Sequence, residues 1–592
     1  MTTELSPNAL RLLEARYLRR DAAGTVIEDP EDLFRRVAHG VATAEAVFGP
    51  DRDVDAWEET FHDLLRTLDF LPNSPALMNA GTPLGQLAAC FVLPIDDTME
   101  SIFDALRGMA LVQRTGGGTG FSFSRLRPRG DRLDSTGGEA SGPVSFMRVF
   151  DVATENIKQG GRRRGANMAV LRVDHPDVIE FIEAKLDGRS FRNFNLSVGV
   201  TDRFMEAVEA GGAFELTHPS TGRATRSVAA REVFGRLVDA AWRTGDPGLV
   251  FLDEMNRHNP TPALGAFETT NPCGEVPLLP YESCVLGSIN LAHMVGATER
   301  QAAVDWNRLR HAVHTGVRFL DDMLEVNREP LPEIRDATRR NRKIGLGVMG
   351  FAEALMLLGV SYDSDEAVVW ADRLSAFIAG EARQASRALA EVRAVFPGWS
   401  RSLYAATGER RRNATLLSIA PTGTLSLLAG TTGGIEPLFA LAYRREHSLG
   451  GEPFAEINPV FVRHARRSWP DCDRLLGEIL SRGRLGDVAG LPAAARRRFV
   501  TATEVAPRQH LRIQQAFQRH VDNAVSKTIN LPEEASADDV ADAYREAWRL
   551  GLKGVTIYRC GSKEGQVLTL GAGDDAATRE LYAKCDPGAC RL

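Results

Sequence analysis

Apolar residues recur at helical spacing near the start of the chain. Asp29 is followed by Pro30 and acidic residues, which is typical of a capped helix start. The apolar positions that follow at intervals of three and four residues are Leu33, Phe34, Val37, Ala38 and Val41. Because this spacing places them on one helix face, we predict a small helical region over residues 1–70.

From about Leu71 to Tyr558 the pattern changes. Amphipathic helical stretches alternate with short β-rich runs, many bounded by Gly or Pro, such as CFVLP, MAVLRV, NLSVGV and TLLSIA. Alternation of this kind favours an α/β architecture with buried strands. After Tyr558 the apolar periodicity is lost and Gly, Asp and Lys become frequent, so we predict a mobile tail.

Composition limits the class of protein. Hydrophobic residues make up 43% and charged residues 25% of the 592 residues, which is typical of a globular protein with a large core. That length allows either roughly four average domains or one very large enzyme fold. There are 71 basic and 78 acidic residues, and the net charge of −7 offers no general field for attracting a nucleic-acid polymer.

The N-terminal residues and the number of cysteines bear on the cellular compartment of the protein. Charges are spread through the opening MTTELSPNALRLLEARYLRR, so we expect no secretory signal, and no later apolar run is long enough to span a bilayer. Seven cysteines are an odd and sparse number for an intracellular protein of this length, which makes a disulfide framework unexpected. Reactive thiols and merely buried thiols are both compatible with this count.

One short string brings three chemical groups together. Asn271-Pro272-Cys273-Gly274-Glu275 combines an amide, a thiol and a carboxylate within a tight loop that Pro and Gly favour. A second cysteine, Cys284, follows soon after. Taken alone, a cysteine of this kind is more often a small buried hydrophobe than a reactive group. Both interpretations stay open on the residues alone.

Three further strings are candidates for binding a ligand. The run IAPTGTLS, residues 419–426, predicts a strand entering a helix, where amides and hydroxyls suit a phosphate as well as a plain Thr cap. The run RTGGGTG, residues 114–120, lets the backbone approach a ligand closely, although a flexible turn is favoured by the pattern alone. The run KQGGRRRG, residues 158–165, is either a phosphate-binding loop or a solvated basic one.

Two cysteines are found among the last ten residues of the sequence. Cys585 and Cys590 are separated by Asp-Pro-Gly-Ala on the predicted tail. Thiols on a mobile segment can exchange with a buried disulfide, whereas a zinc site needs four ligands. We therefore favour a redox shuttle over a metal site.

Five strings in the same order resemble the ribonucleotide reductase large-subunit family. They are LPNSPALMNAG, TGGGTGFSFSRLRP, NPCGE, APTGT and VDNAVSKTINLP, and together they extend over nearly the whole chain. The resemblance implies an α/β fold, a ten-stranded α/β barrel of the ribonucleotide reductase and glycyl-radical type. It divides the chain into an N-terminal helical region, residues 1–70, a barrel with effector-binding insertions, residues 71–560, and a flexible redox tail, residues 561–592.

The resemblance also assigns catalytic roles. Cys273 matches the cysteine that becomes a thiyl radical and takes the ribose 3′-hydrogen, and Glu275 matches the base acting on the 3′-hydroxyl. Asn271 matches the amide that holds the ribose, while Cys90 and Cys284 match the dithiol that supplies two reducing equivalents. A radical at C3′ eases loss of water from C2′, after which the two thiols return the electrons.

Binding roles follow from the same comparison. The positions that match the substrate site are Ser74, Ala89, Gly118, Pro421, Thr422, Gly423 and Thr424. Those that match a deoxynucleotide effector site are Asp97, Thr98, Met99, Arg127 and Lys158. The loop that relays effector identity comprises Gln159, Gly160, Gly161, Arg162, Arg163 and Arg164. Because such an effector site lies near a dimer interface, a homodimer is implied.

The resemblance narrows the radical generator to adenosylcobalamin. The glycyl-radical type carries an RxCGY-like string, which is missing, and the type with a separate radical subunit carries adjacent tyrosines where Tyr558 is followed by Arg559. The opening LSPNALRLLEARYLRRDAAGTVIEDPEDLFRRVA and the segment around VDNAVSKTINLP also resemble the cobalamin-dependent type. No histidine string indicates a protein ligand to cobalt, so we assign no metal ligands.

The implied enzyme is cytoplasmic, reduces ribonucleotides that we expect to be diphosphates, and is re-reduced by a thioredoxin or glutaredoxin-like protein. Two departures bear on re-reduction: Cys560 is unexpected at the start of the tail, and the tail thiols are four residues apart rather than two. Two alternatives stay open, a large subunit that needs a separate radical-generating protein and a silent nucleotide-binding paralogue.

Overall fold

The computed structural model describes most of the chain. The described residues are 5–49, 53–133, 137–159, 163–297, 302–449, 452–469, 472–486, 488, 491–562 and 568–571. Cys585 and Cys590 of the predicted tail lie outside them, as do Gly160, Gly161 and Arg162 of the predicted relay loop. Among the described residues, none of the helices has the length and apolar character needed to cross a membrane.

Helices account for much of the described chain. The α-helices are α1 Pro7–Arg16, α2 Pro30–Ala42, α3 Val54–Arg66, α4 Ser74–Asn79, α5 Met99–Arg114, α6 Pro143–Asn156, α7 Val178–Glu183, α8 Asp202–Ala210, α9 Ala230–Thr244, α10 Leu252–Arg257, α11 Trp306–Val326, α12 Pro332–Asn341, α13 Phe351–Leu358, α14 Asp365–Arg393, α15 Leu403–Thr407, α16 Gly423–Leu428, α17 Pro459–Ser468, α18 Cys472–Arg482, α19 Ala493–Arg498, α20 Pro507–Gln518 and α21 Ala537–Arg549.

Strands alternate with these helices along the chain. They are β1 Phe70–Pro72, β2 Cys90–Val92, β3 Gly118–Ser122, β4 Lys158–Gln159, β5 Arg163–Arg164, β6 Asn167–Arg172, β7 Phe194–Val200, β8 Ala213–Thr217, β9 Ala224–Ala229, β10 Gly248–Phe251, β11 Ser283–Asn290, β12 Val295–Ala297, β13 Ala302–Val304, β14 Ile344–Met349, β15 Ala442–Leu449, β16 Glu452–Ile457, β17 Thr528–Leu531, β18 Gly554–Arg559 and β19 Leu568–Leu570.

The N-terminal helices follow the sequence pattern. Helix α2 begins with a capping box, in which the Asp29 side chain accepts from the Asp32 amide and the Asp32 side chain accepts from the Asp29 amide. Pro30 occupies the first helical turn, where its missing N–H is not needed. The predicted apolar face is buried, which confirms the helix and its orientation.

The long strands form one ten-stranded sheet. From β2 the order runs through β3, β6, β7 and β10 in parallel, then to antiparallel β18 and on to β17, which is parallel to β18. On its other side β2 pairs with antiparallel β11, and β11 pairs with parallel β14. Strand β1 pairs antiparallel with β11 on the same side as β2, farther along β11.

The two ends of the sheet meet at residues 417–419. Leu417 bridges to Leu346 in β14, and Ile419 bridges to Val525, shortly before β17. The sheet therefore closes on itself, and the predicted ten-stranded α/β barrel is confirmed. The run TLLSIA forms these isolated bridges rather than a regular strand, because the amides of Leu416 and Leu417 donate to the Asp522 carboxylate.

A buried ionic cluster attaches the N-terminal helices to the barrel. Glu45, which follows α2, accepts from Arg318 of α11 and from Arg393 of α14. Arg393 also contacts Asp321 and Asp322 with no side-chain exposure on any of the three. Because removing one partner would leave an uncompensated buried charge, this cluster holds the helical region in a defined place.

Candidate active site

The NPCGE string forms a loop that projects over the barrel strands. Its two ends are joined by a bridge between Thr270 and Pro277. The Gly274 amide donates to the Asn271 carbonyl, and Gly274 has a φ of +85°, which favours glycine at this turn. Cys273 is exposed on this turn, whereas Asn271 and Glu275 on either side are buried.

Glycines of β3 allow the loop to lie directly against the strand. A Cβ on Gly120 would stand 1.8 Å from the Thr270 carbonyl oxygen, and one on Gly118 would stand 2.8 Å from Pro272 Cγ. The Asn195 amide on β7 donates to the Pro272 carbonyl at 2.7 Å and fixes the loop from the side. The TGGGTG string therefore serves a close backbone approach, and the segment that approaches it is the NPCGE loop.

We expect Gly120→Ala to lower activity by about a hundredfold or more, because the added methyl group must push the backbone at Thr270 away and displace the loop. Steady-state rates and thermal melts of the full chain measure the effect. The matched control is Gly235→Ala in α9, where a Cβ meets no atom within 4 Å and Ala favours the helix. Equal activity of the two variants would contradict this account of the loop.

Cys90 and Cys284 face each other on neighbouring strands. They are direct partners in the antiparallel pairing of β2 with β11, and both are free and buried. Opposite residues in such a pair have Cα atoms about 4.5 to 5.5 Å apart, which lies within the range of a disulfide. The expected backbone separation of the two cysteines is therefore compatible with a disulfide.

The loop side chains reach this thiol pair. The Asn271 amide nitrogen lies 3.1 Å from Cys90 Sγ, and the Cys90 thiol lies 4.0 Å from Glu275 Oε1. Cys273 is also close enough to affect the pKa of Cys90 electrostatically. Three thiols, an amide and a carboxylate therefore meet at one end of β2.

Burial sets the protonation states of these groups. Burial, and next the nearby Glu275 carboxylate, raise the pKa of Cys90 well above its ordinary value. Burial likewise raises the pKa of Cys284, partly opposed by Lys343. Both groups are therefore neutral thiols at pH 7, which retain hydrogens to give.

The backbone of Glu275 is held by two hydrogen bonds, and its side chain is buried. Its carbonyl accepts from Ser418 Oγ at 2.9 Å and from the Ala524 amide at 2.8 Å. Burial raises the pKa of Glu275 to about 7. Among the described residues no hydrogen-bond partner reaches its buried Oε2. This carboxyl is thus placed to exchange a proton with a bound hydroxyl near neutral pH.

The APTGT segment lies beside the loop. Thr422 adopts a left-handed conformation with φ +48°, and its hydroxyl accepts from the Gly434 amide at 2.8 Å. Helix α16 begins at Gly423, as the sequence predicts, and Pro421 and Gly423 are exposed. The first amides of a helix generally have no acceptor within the helix.

Other predicted substrate positions lie on the adjoining strands. The Ala89 carbonyl accepts from the Gly118 amide at 2.8 Å, next to Cys90. Ser74 begins helix α4 and is buried. The barrel thus brings the predicted positions on β2 and β3 together with the NPCGE loop that lies over them.

Comparison with known proteins agrees with this geometry. The family model described as "Ribonucleotide reductase, barrel domain" matches residues 88–410 and 407–558, and "Ribonucleotide reductase, all-alpha domain" matches residues 3–85. The chain belongs to the ribonucleotide reductase family. The resemblance drawn from the five strings is therefore confirmed.

Named relatives of this reductase refine the comparison. The chain is 52% identical over 584 residues to the vitamin B12-dependent ribonucleoside-diphosphate reductase of Mycobacterium tuberculosis, covering 98% of the chain and 82% of the relative. It is 44% identical over 632 residues to the enzyme of the same name from Thermoplasma acidophilum, covering 98% of the chain and 82% of the relative. The Actinobacillus ureae class Id ribonucleotide reductase alpha subunit shares the fold, with a TM-score of 0.76, 22% identity and coverage of 94% and 97%.

Three of the predicted effector positions of this reductase, Asp97, Thr98 and Met99, lie around the start of α5. Arg127 pairs with Asp97 at 2.7 Å, Thr98 caps the helix, and Met99 is exposed. Backbone pairing of β4 with β5 joins Lys158 to Arg164 and Gln159 to Arg163. Helix α5 ends at Arg114, immediately before the glycine string, so it connects this region to the active-site strand β3.

Several residues that support the site carry no local sequence signal. Ser418 and Ala524 fix the Glu275 backbone, and Asn195 fixes Pro272. Ser418 and Ala524 stand inside or next to the family strings, which marks their neighbourhood, but their contacts arise only when distant segments meet. The one hint that the sequence offers is Asn195, a polar residue in β7, where it is exposed while the other residues of the strand are buried.

Proposed function

We propose that this protein reduces ribonucleoside diphosphates to 2′-deoxyribonucleotides with adenosylcobalamin as its cofactor. The observation that carries the proposal is the pairing of two buried thiols, Cys90 and Cys284, directly beside the exposed Cys273 and the proton-accepting Glu275. The names of relatives at 52% and 44% identity support the same substrate and cofactor.

The chemistry balances with these groups alone. A thiyl radical on Cys273 takes the hydrogen atom from C3′, and Glu275 accepts the proton of the 3′-hydroxyl. The 2′-hydroxyl leaves as water with a proton supplied by the thiol pair. Cys90 and Cys284 give two electrons and two hydrogens in all, one of them leaving in the water and the other ending on C2′, and the two thiols close to a disulfide. Cys273 returns its hydrogen atom to C3′ and is a thiyl radical again, while Glu275 returns the proton to the 3′ oxygen.

The positions of the three thiols support this division of roles. Cys273 must be reached from outside by a radical generator, and it is exposed, while the reducing thiols are enclosed with their hydrogens retained. Asn271 contacts Cys90 and would orient the ribose over the pair.

The residues at the loop fit a bulky cofactor. A Cβ on Gly274 would meet no atom within 4 Å, so the face that carries Cys273 opens to free space. This face would receive the adenosyl side of the cofactor. When bound, adenosylcobalamin supplies the 5′-deoxyadenosyl radical that makes a thiyl radical from a thiol.

Substrate phosphates are proposed to bind Thr422, Gly423 and Thr424, with Pro421, Ser74, Ala89 and Gly118 shaping the pocket. The exposed start of α16 and the hydroxyls beside it support this placement. Diphosphates are preferred because both named relatives above are ribonucleoside-diphosphate reductases.

A deoxynucleotide effector is proposed to bind Asp97, Thr98, Met99 and Arg127, together with Lys158. Loop residues 159–164 would then relay its identity to the substrate. Large apolar side chains are exposed on the two helices of this region: Met99, Phe103, Val149 and Val152. Because exposed large apolar side chains on two contacting helices are typical of a protein interface, they support a homodimer, which sedimentation velocity would test.

Tail thiols Cys585 and Cys590 are proposed to re-reduce the barrel disulfide and to be reduced in turn by a thioredoxin or glutaredoxin-like protein. Free thiols at Cys90 and Cys284 and this thiol-dependent cycle suit the reducing cytoplasm. We expect Cys585→Ser to stop after about one turnover per enzyme with thioredoxin, since exchange needs both tail thiols. Dithiothreitol, which reaches the barrel directly, should restore multiple turnovers. Normal thioredoxin-driven turnover of the variant would contradict the shuttle.

The proposed function is tested by anaerobic reduction of CDP with dithiothreitol and a deoxynucleotide effector, with and without adenosylcobalamin. Deoxynucleotide formation that requires the cofactor and no second protein is the expected result. Activity only on addition of a radical-generating protein would replace the cofactor assignment. Absence of both activity and cobalamin binding would favour a silent paralogue.

A further inference from the structure

The end of helix α1 contacts two segments of the proposed substrate site. Arg16 Nη1 donates to Thr424 Oγ1 at 3.2 Å, across 408 positions of the chain. The next residue, Tyr17, exchanges a 2.8 Å hydrogen bond with Ser74, across 57 positions. The string that contains both residues, LLEARYLRR, resembles the family opening, yet no role has so far been assigned to it.

Charge is the property that Arg16 adds. The segment Pro421 to Thr424 offers only amides and hydroxyls, which are neutral, whereas a nucleoside diphosphate carries about three negative charges. An anion accepting from the Thr424 hydroxyl would lie on the order of 6 Å or less from the Arg16 guanidinium, two hydrogen-bond lengths away. Guanidinium groups suit this task because their donors match the spacing of phosphate oxygens.

Tyr17 contacts the second segment of the proposed substrate site, at Ser74. Its side chain and that of Ser74 are both buried, so their hydrogen bond is shielded from water. Because a phenol and a serine hydroxyl each donate only one hydrogen, this bond fixes the direction in which the other hydrogen points. Tyr17 therefore orients Ser74 without needing to touch the substrate.

The helix that carries these two residues is firmly placed. Leu12 and Leu13 of α1 are buried, and Asn8 donates to the Ala455 carbonyl at 3.0 Å. The ends of α1 are thus tied to β16 and to α16, so Arg16 cannot swing freely away from Thr424. A fixed cation loses less conformational entropy when it binds an anion than a flexible one does.

We propose that Arg16 binds the substrate diphosphate and that Tyr17 is a positioning residue for Ser74, so that the N-terminal helix forms one wall of the substrate site. The inference rests on the proposed binding of phosphates at Thr422 to Thr424. It assigns to the N-terminal helical region a direct part in recognising the phosphates.

Binding to the full chain without cofactor is the direct test. We expect Arg16→Met to raise the Kd for CDP at least about tenfold in equilibrium dialysis, because a charge-assisted contact is lost, and to affect CMP less. The Kd of the Arg16→Lys variant for CDP should fall between those of the wild type and the Arg16→Met variant. The matched control is Arg11→Met on the exposed face of the same helix, which should stay within about twofold of the wild type.

Steady-state kinetics separate binding from positioning. With adenosylcobalamin present, Arg16→Met should raise KM for CDP while kcat changes little, and Tyr17→Phe should raise KM by a smaller factor. Thermal melts identify any variant that folds poorly. If Arg16→Met folds poorly, Arg16→Gln, which keeps a polar side chain, replaces it in the same binding and kinetic measurements.

Each outcome decides the proposal. Equal CDP affinity of the Arg16→Met and Arg11→Met variants overturns it, as does an equal loss of CDP and CMP affinity. Failure of the wild type to bind CDP overturns both this inference and the proposed function. Arg16-dependent CDP binding by a protein without reductase activity would sustain the inference and remove the function alone.

Discussion

Replacing Cys273 by serine is expected to abolish turnover, by more than about a thousandfold, while CDP binding stays intact. An alkoxyl radical is far harder to form than a thiyl radical, so serine cannot take over the hydrogen-atom transfer. The side chain is exposed on its turn, so the loop should keep its structure. Deoxynucleotide formation and equilibrium dialysis with CDP measure the two properties separately.

Cys472→Ser supplies the control for this substitution. Cys472 begins helix α18, outside the residues assigned to the site, and is partly exposed. The same change there should leave turnover within about twofold of the wild type. Substantial reduction of CDP by the Cys273→Ser protein would remove the thiyl-radical assignment, even if the family membership stands.

The fold was predictable where short-range patterns decide it. Helix α2 follows directly from its cap and its apolar spacing, and β6 and β7 coincide with the runs MAVLRV and NLSVGV. The local pattern predicted a strand for TLLSIA, but no regular strand forms, because two amides of this run donate to the Asp522 carboxylate. That competitor lies about a hundred positions away, 522 against 416 and 417, and no propensity within the run reveals it.

The site was predictable from the resemblance more than from local chemistry. Composition and spacing are compatible with Cys273 and Cys284 as either buried or reactive thiols, and they do not single out Cys90. Their meeting depends on the pairing of β2 with β11, which joins segments almost two hundred positions apart, 284 against 90. The spacing of the glycines is compatible with either a turn or a close contact with a ligand. In the structure, the group that approaches Gly120 is instead the protein backbone.

A second large effect is expected on replacing Glu275 by glutamine. A proton-accepting carboxyl works only when ionised, and burial raises the pKa of Glu275 to about 7. The kcat/KM of the wild type should therefore rise with pH and reach half its maximum near pH 7. Glu275→Gln should be lower by about a hundredfold to ten-thousandfold at high pH and should lose this inflection.

The same titration predicts a difference in stability. The folded-state pKa of Glu275 lies above its ordinary 4.5, so the carboxyl stabilises the fold below pH 4.5 and this contribution is lost as pH rises through about 7. Glu275→Gln has no proton to lose, so its stability relative to the wild type should increase from pH 5 to pH 8, by on the order of 3 kcal/mol. Exposed Glu206→Gln is the control and should show no such trend. Parallel melting curves for wild type and Glu275→Gln across this range would mean that Glu275 is ionised throughout, and the base would then need no pKa near neutrality.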